Sequence, residues 1–236
     1  MIPKPLLYVP PQLPVVRSTL QQLYNASIRR FLPRKIGVYN GVAIRRPRLF
    51  DRTDVVSNVK TGFVNAVREV VTHGDDIVEI GTGGGIGAVW AARQSACGHI
   101  HTYEGSARKY KKFKQTMKTN EVGELTTPHH AIVRPDKTDN AAIGGGTYQG
   151  NLTNRVISID NLPEHDVCMM DCEGHESELV PSVTADRVII ETHGTKGSPT
   201  SEVVDTLESK GYEILNIFDA EPSIKRDNKV VTAYHG

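Results

Sequence analysis

The strongest constraint on the fold is a glycine-rich junction. Ile77–Ile80 reads as a short strand, β-branched except at Glu79, and Ala88–Gln94 reads as a helix. Between them stand Gly81, Thr82, Gly83, Gly84, Gly85, Ile86 and Gly87. Glycines after a strand allow positive φ and let backbone N–H groups approach a ligand closely. The helix that follows adds a partial positive charge at its start. A strand passing through a tight loop into a helix belongs to a sheet whose strands run parallel and are joined by helical crossovers.

The rest of the chain repeats this alternation. Phe63, Val64, Val67, Val70 and Val71 form a helical stripe closed by Gly74. His99–Tyr103 is expected as the second strand, followed by a basic helix capped by Ser106 and running to Thr119. His129–Val133 is expected as the third strand. Gly144 to Gly150 then leads into Arg155–Ile159 as a local hairpin. Asp166–Met170 and Arg187–Ile190 are the fourth and fifth strands, and Glu202–Ser209 is a helix closed by Gly211. Two final strands, Glu213–Phe218 and Lys229–Tyr234, follow without a helix between them. The expected class is α/β: a Rossmann-like, mostly parallel sheet covered on both faces, with an antiparallel pair at one edge.

Residues 1–57 read as a separate basic extension to the domain 58–236. They comprise a Pro-rich arm, an amphipathic helix over Val15–Leu32 ended by Pro33, and a hairpin of Lys35–Asn40 and Val42–Arg48 about Asn40-Gly41. Net charge is only +1, but residues 1–60 carry eleven basic and two acidic residues, net +9. Residues 61–236 carry 17 basic and 25 acidic, net −8. So sharp a split implies that the N-terminal segment meets an anion: a phosphate-bearing substrate, nucleic acid, a membrane surface or the acidic body of the protein itself. Three cysteines without a C-x-x-C pair exclude a disulfide scaffold and a zinc ribbon, and fit a reducing, cytoplasmic compartment. No window approaches the ~18 apolar residues of a membrane span. Five prolines within Met1–Pro14 do not suit a secretory signal.

Two acidic residues sharpen the glycine loop. Glu79 lies two positions before Gly81, and Glu104 ends the second strand 23 residues after it. An acid at that strand end can accept both hydroxyls of a ribose. The missing Gly-Lys-Ser/Thr excludes a P-loop. A dinucleotide remains open, because Gly83, Gly85 and Ala88 meet the looser dinucleotide spacing. The register Gly81, Gly83, Gly85 starts at the strand end and is preferred, with Glu79 free to hold an ammonium group. In these positions residues 58–236 resemble the class I S-adenosylmethionine-dependent methyltransferases. The resemblance implies S-adenosylmethionine as cofactor, with Glu79, Gly81, Thr82, Gly83 and Gly85 around its amino-acid part and Glu104 at its ribose.

The fourth strand runs into Asp171-Cys172-Glu173-Gly174-His175-Glu176. Strand carboxyl ends are where open α/β sheets bind ligands. A plainer reading makes Asp171 a helix cap, with Glu173 and Glu176 in the first turn. The segment Met169–Glu176 also resembles the FkbM-type O-methyltransferases, as do Ile157–Leu162 and Val188–His193. Met169 departs from that family's usual Lys, and Gly-Thr-Gly-Gly-Gly departs from its usual glycine loop.

The resemblance implies an O-methyltransferase acting on a hydroxyl or carboxyl of a glycan, lipid-linked sugar or small metabolite. Asp171 would face the methyl group and touch the cofactor. His193 or Asp171 would serve as general base, and Glu173 would orient the substrate or partner the base. Carboxylate and imidazole together would suit a divalent metal; without a tight motif such as His-x-x-x-His a metal is possible but not favoured. The rivals are a nucleic-acid methyltransferase that uses the basic segment Arg29–Arg52 and a non-catalytic interaction module. The first lacks Asn/Asp-Pro-Pro-Tyr/Phe after the fourth strand.

Overall fold

The computed structural model describes residues 22–51, 55–135, 155–221 and 228–236. A three-stranded sheet comes first, of β1 (Arg34–Tyr39), β2 (Val42–Arg48) and β3 (Val55–Val56), in the order β2-β1-β3. The α/β body follows: α1 (Thr61–Val70), β4 (Ile77–Ile80), α2 (Ile86–Ser95), β5 (Ile100–Tyr103), α3 (Ala107–Thr119) and β6 (Thr126–His129). Next come β7 (Ile132–Arg134), β8 (Val156–Ser158), β9 (Val167–Met170), α4 (Glu176–Leu179), β10 (Arg187–Glu191), α5 (Thr200–Ser209), β11 (Glu213–Asp219) and β12 (Lys229–Tyr234).

Seven strands form the main sheet in the order β11-β12-β10-β9-β4-β5-β6. Strands β10, β9, β4, β5 and β6 pair in parallel, whereas β12 is antiparallel to both β10 and β11. The central strands are buried on both faces, which is why they read as unbroken apolar runs. In register, Ile77 faces Val167 and Ile100, and Val78 faces Cys168. Alternate residues therefore feed two cores. Ile77, Ile100, Val167, Met169 and Ile189 pack with α1, α2 and α3. Val78, Ile80, Cys168, Met170, Val188 and Ile190 pack with α4 and α5.

The hairpin holds to the body at its turn. Trp90 of α2 donates from Nε1 to the Asn40 carbonyl at 2.8 Å, and Asn120 brackets Ala43 with two hydrogen bonds of 2.8 and 3.0 Å. Tyr39, Val42 and Ile44 consequently share the first core.

Two expectations need correction. The third sheet strand is Thr126–His129, not His129–Val133. Pro128 is tolerated because β6 is an edge strand whose outer N–H groups need no partner. Ile132–Arg134 instead pairs in parallel with Val156–Ser158, so no local hairpin forms there, and Gly144–Gly150 lies outside the described residues. The expected N-terminal helix is described only from residue 22. It is irregular there, a wide turn over Tyr24–Ile28 followed by a tight one over Arg29–Phe31, and Leu23, Ile28 and Phe31 are exposed. What anchors it is the buried Asp51, whose carboxylate accepts from Tyr24 and Arg29 at 2.9–3.0 Å. Among the described residues no helix is long and apolar enough to cross a membrane.

Candidate functional site

The carboxyl ends of β4, β9 and β10 converge on one cleft. Gly81, Gly83 and Gly85 take φ of +85°, +54° and +85°, so the loop needs glycine at these positions. A Cβ on Gly81 would lie 2.1 Å from the Asp171 carbonyl, which shows how tightly the loop passes the end of β9. A Cβ on Gly83 or Gly84 would meet nothing within 4 Å. The loop thus presses on the sheet on one side and leaves open space on the other.

That space is a cleft of about 360 Å³. Its floor is Glu79, Thr82, Gly83 and Gly84, its inner wall Lys60, Phe63 and Asp171, and its rim Arg45, Arg46, Lys109 and Lys112. Glu79 is 3% exposed, and its Oε2 has no hydrogen-bond partner. Burial pushes its carboxyl up to about 8, although nearby Lys60 pulls the other way. Thr82 Oγ1 is likewise buried without a partner. Glu104 sits just behind the cleft wall. It accepts the Gly83 N–H at 3.1 Å and the Ser106 N–H at 2.8 Å, and burial raises its carboxyl above the usual range.

Above the floor lies a cluster of charges. Lys60 Nζ is paired with Asp171 and lies 2.9 Å from Glu191 Oε2. Burial alone would lower the Lys60 pKa, but the two carboxylates raise it well above the ordinary lysine value. His193 is 3% exposed. Its Nδ1 lies 3.0 Å from Glu176 Oε1, and its Nε2 lies 3.6 Å from Asp171, 3.8 Å from Glu191 and 4.0 Å from Glu173. The fully buried Glu176 also accepts the Cys172 N–H at 2.7 Å and the Gly174 N–H at 3.0 Å. Burial would depress His193, but Glu176, Asp171 and Glu191 more than offset it and raise its pKa. Glu173 takes φ of +57° and pairs with Lys196 and, at 3.7 Å, with Lys109. Against its burial, these cations hold its carboxyl down at about 2.

Of the residues singled out in the sequence, His193 lies within 4.0 Å of both Asp171 and Glu173, and Glu79, Thr82, Gly83, Asp171 and Glu173 share the cleft. Lys60 was missed. It stands just before α1 in the left-handed region, φ +52°, and nothing local marks it; only the tertiary fold brings it to residues 111 and 131 positions away. Glu176 was visible only as a helix-start acid, and it does accept backbone N–H groups there.

This strand order, parallel but for the reversed β12, with a glycine loop at the carboxyl end of β4, is a Rossmann-like α/β fold. No protein-family model matches the chain, and no curated protein matches it. Solved structures do. Aeropyrum pernix fibrillarin, in complex with natively bound S-adenosyl-L-methionine, matches with a TM-score of 0.53 at 16% identity, over 85% of this chain and 82% of that one. TYW2 of M. jannaschii in complex with AdoMet matches at 0.52 and 11% identity, over 86% and 85%. The B. subtilis M1A22 tRNA methyltransferase TrmK matches at 0.51 and 11%, over 75% and 67%. These likenesses establish the fold.

Proposed function

We infer that this protein is an S-adenosylmethionine-dependent methyltransferase that methylates an oxygen. The carrying observation is Glu79, a buried carboxyl with an unpartnered oxygen beneath an open glycine loop. Such a group asks for a cation, and the cofactor's ammonium supplies one. Glu79, Thr82, Gly83 and Asp171 would hold the amino-acid part, and Glu104 the ribose. A smaller apolar hollow lined by Gly81, Tyr103, Gly105, Ala131 and Cys172 would receive the base. When bound, the cofactor supplies an electrophilic methyl group.

The chain's own residues then position an acceptor oxygen and take its proton. Glu176 accepts the Nδ1–H of His193, which fixes the tautomer and leaves Nε2 facing Asp171 and Glu191. Nε2 is the general base. Lys60 bridges Asp171 and Glu191 and lets Asp171 orient the acceptor. Asp171, Glu191 and His193 could also ligate a metal ion. Since the Lys60 ammonium already sits between the two carboxylates, a metal-independent reaction is favoured. Glu173, held by two lysines and strongly acidic, orients rather than accepts a proton.

The proposed catalytic unit is 58–236, with 1–57 as a basic extension whose hairpin packs into its core. Met169–Glu176 and Val188–His193 favour kinship with FkbM-type enzymes, and the cytoplasm is the proposed setting.

Calorimetric titration with S-adenosylmethionine, S-adenosylhomocysteine and NAD tests this reading. The first two should bind in the micromolar range, and NAD should not. With Glu79 titrating at about 8, pairing it to an ammonium expels its proton. At pH 7 that is the larger part of a proton per site, read from titrations in buffers of different ionisation enthalpy. Glu79→Gln should abolish this release and weaken binding; an unchanged release would sink the assignment.

A further inference from the structure

The cleft's lining includes Glu173 and Glu221, and Glu173 pairs with Lys109, but Arg45, Arg46 and Lys112 form no ion pair with a described carboxylate and continue into a basic surface outside the cleft. On one side β2 presents Arg45 and Arg46, and on the other α3 presents Lys109 and Lys112. From there the charge runs outward in both elements. Helix α3 holds Arg108, Lys109, Lys111, Lys112, Lys114 and Lys118 and no acidic residue over Ala107–Thr119. At the open end of the hairpin Arg34 lies opposite Arg48.

These cations face one another. Arg34 is depressed by burial and by Arg48 and Arg108, and Lys112 by burial and by Arg108, Arg34 and Arg46. Among the described residues, no carboxylate forms an ion pair with Arg34, Arg45, Arg46, Arg108 or Lys112. Like charges held together at a cost to their own ionisation mark a surface built for an anion. The cofactor's single carboxylate cannot match a stripe spread over two elements.

We propose that the acceptor is carried on a single strand of nucleic acid whose phosphates lie along Arg34, Arg45, Arg46, Arg108, Lys109 and Lys112. The strand leads one nucleotide into the cleft above Glu79 and Asp171. A membrane surface is flat and would not enter the cleft, and a small phosphorylated molecule would leave the outer cations unmatched. Where the hairpin opens, Arg48 donates to the Leu32 carbonyl, and the exposed rings of Phe31 and Phe50 flank that end. Phe31 carries the Arg30 guanidinium over its ring at 4.7 Å, and the exposed Phe50 ring suits stacking with an unpaired base. The strand's entry into the cleft rests on the methyl-transfer reading; its binding to the stripe does not.

The test is fluorescence anisotropy with the full chain and a labelled 20-nucleotide single-stranded RNA of mixed sequence, at rising KCl. Four or more neutralised phosphates give a slope of log K against log salt of about −3 or steeper. Arg34→Glu with Arg108→Glu, both outside the cleft lining, should make that slope shallower by about 1.4 and weaken binding about tenfold or more. S-adenosylmethionine binding by the same variant should match the wild type. Weak or salt-insensitive RNA binding, or an unaffected variant, overturns the proposal. Equal or better competition by tripolyphosphate assigns a small phosphorylated ligand and overturns it, as does binding to phosphatidylserine vesicles without RNA binding. If RNA binding follows the cations while the cofactor does not bind, the methyl-transfer reading alone fails.

Discussion

His193 shows how a buried triad sets a proton affinity. Its Nδ1 is tied to Glu176 and its Nε2 faces two more carboxylates, so its pKa lies above the ordinary 6.5. In the proposed role of general base it must be neutral, so kcat should rise with pH through a value above 6.5. Glu176→Gln removes the nearest negative charge, and the rising limb should move to lower pH with a reduced plateau. A pH–rate profile with the limb in place would remove Glu176 from the proton pathway. His193→Ala should cost about 10²–10⁴ in kcat. That Asp171, Glu173 and His193 lie together was legible in the sequence because two neighbouring strand ends of a parallel sheet can be read as adjacent. Lys60 and the pairing role of Glu191 were not, because a lone lysine ahead of a helix has no periodicity to betray it.

At the scale of elements, the loop joining β4 to α2 is the least tolerant part of the site. Gly81→Ala would place a methyl 2.1 Å from the Asp171 carbonyl in a backbone of φ +85°, and both strain and collision oppose it. The cost should be about 2–4 kcal/mol, read as a lowered denaturation midpoint with loss of cofactor binding. At Gly83, where nothing lies within 4 Å, alanine should cost far less stability while still weakening the cofactor. The central strands were legible to within a residue or two because burial on both faces writes them as continuous apolar runs. The edge escaped this logic. Residues 131–133 look more strand-like than Thr126–His129, but β6 is placed by pairing with β5, and Pro128 costs little there. The N-terminal segment is helical over its described residues 22–31 and ends before Pro33, but apolar spacing proposes a buried face there, and Asp51 instead ties the segment down by its polar side chains.

The whole molecule is braced on the side of the sheet away from the cleft. Arg187, at the start of β10, donates two hydrogen bonds to Asp75 at 2.8 and 2.9 Å and a third to the Val70 carbonyl at the end of α1. Burial would raise Asp75, but Arg187 and Thr72 more than compensate and its carboxyl is depressed. The stability it confers is complete above its unfolded pKa of about 3.9 and is lost as pH falls through the lower folded value. Asp75→Asn should cost about 3 kcal/mol at pH 7, in urea unfolding, and should flatten the acid limb of stability against pH.

The position of β12 has a consequence for synthesis. It lies between β10 and β11, yet it is made after both. Until residues 229–234 have left the ribosome, β10 has an open edge and β11 has no partner at all. The sheet therefore closes only after translation has passed Tyr234. Until then the nascent chain displays two unpaired strand edges, a state in which a holding chaperone or a low temperature of expression should raise the soluble yield.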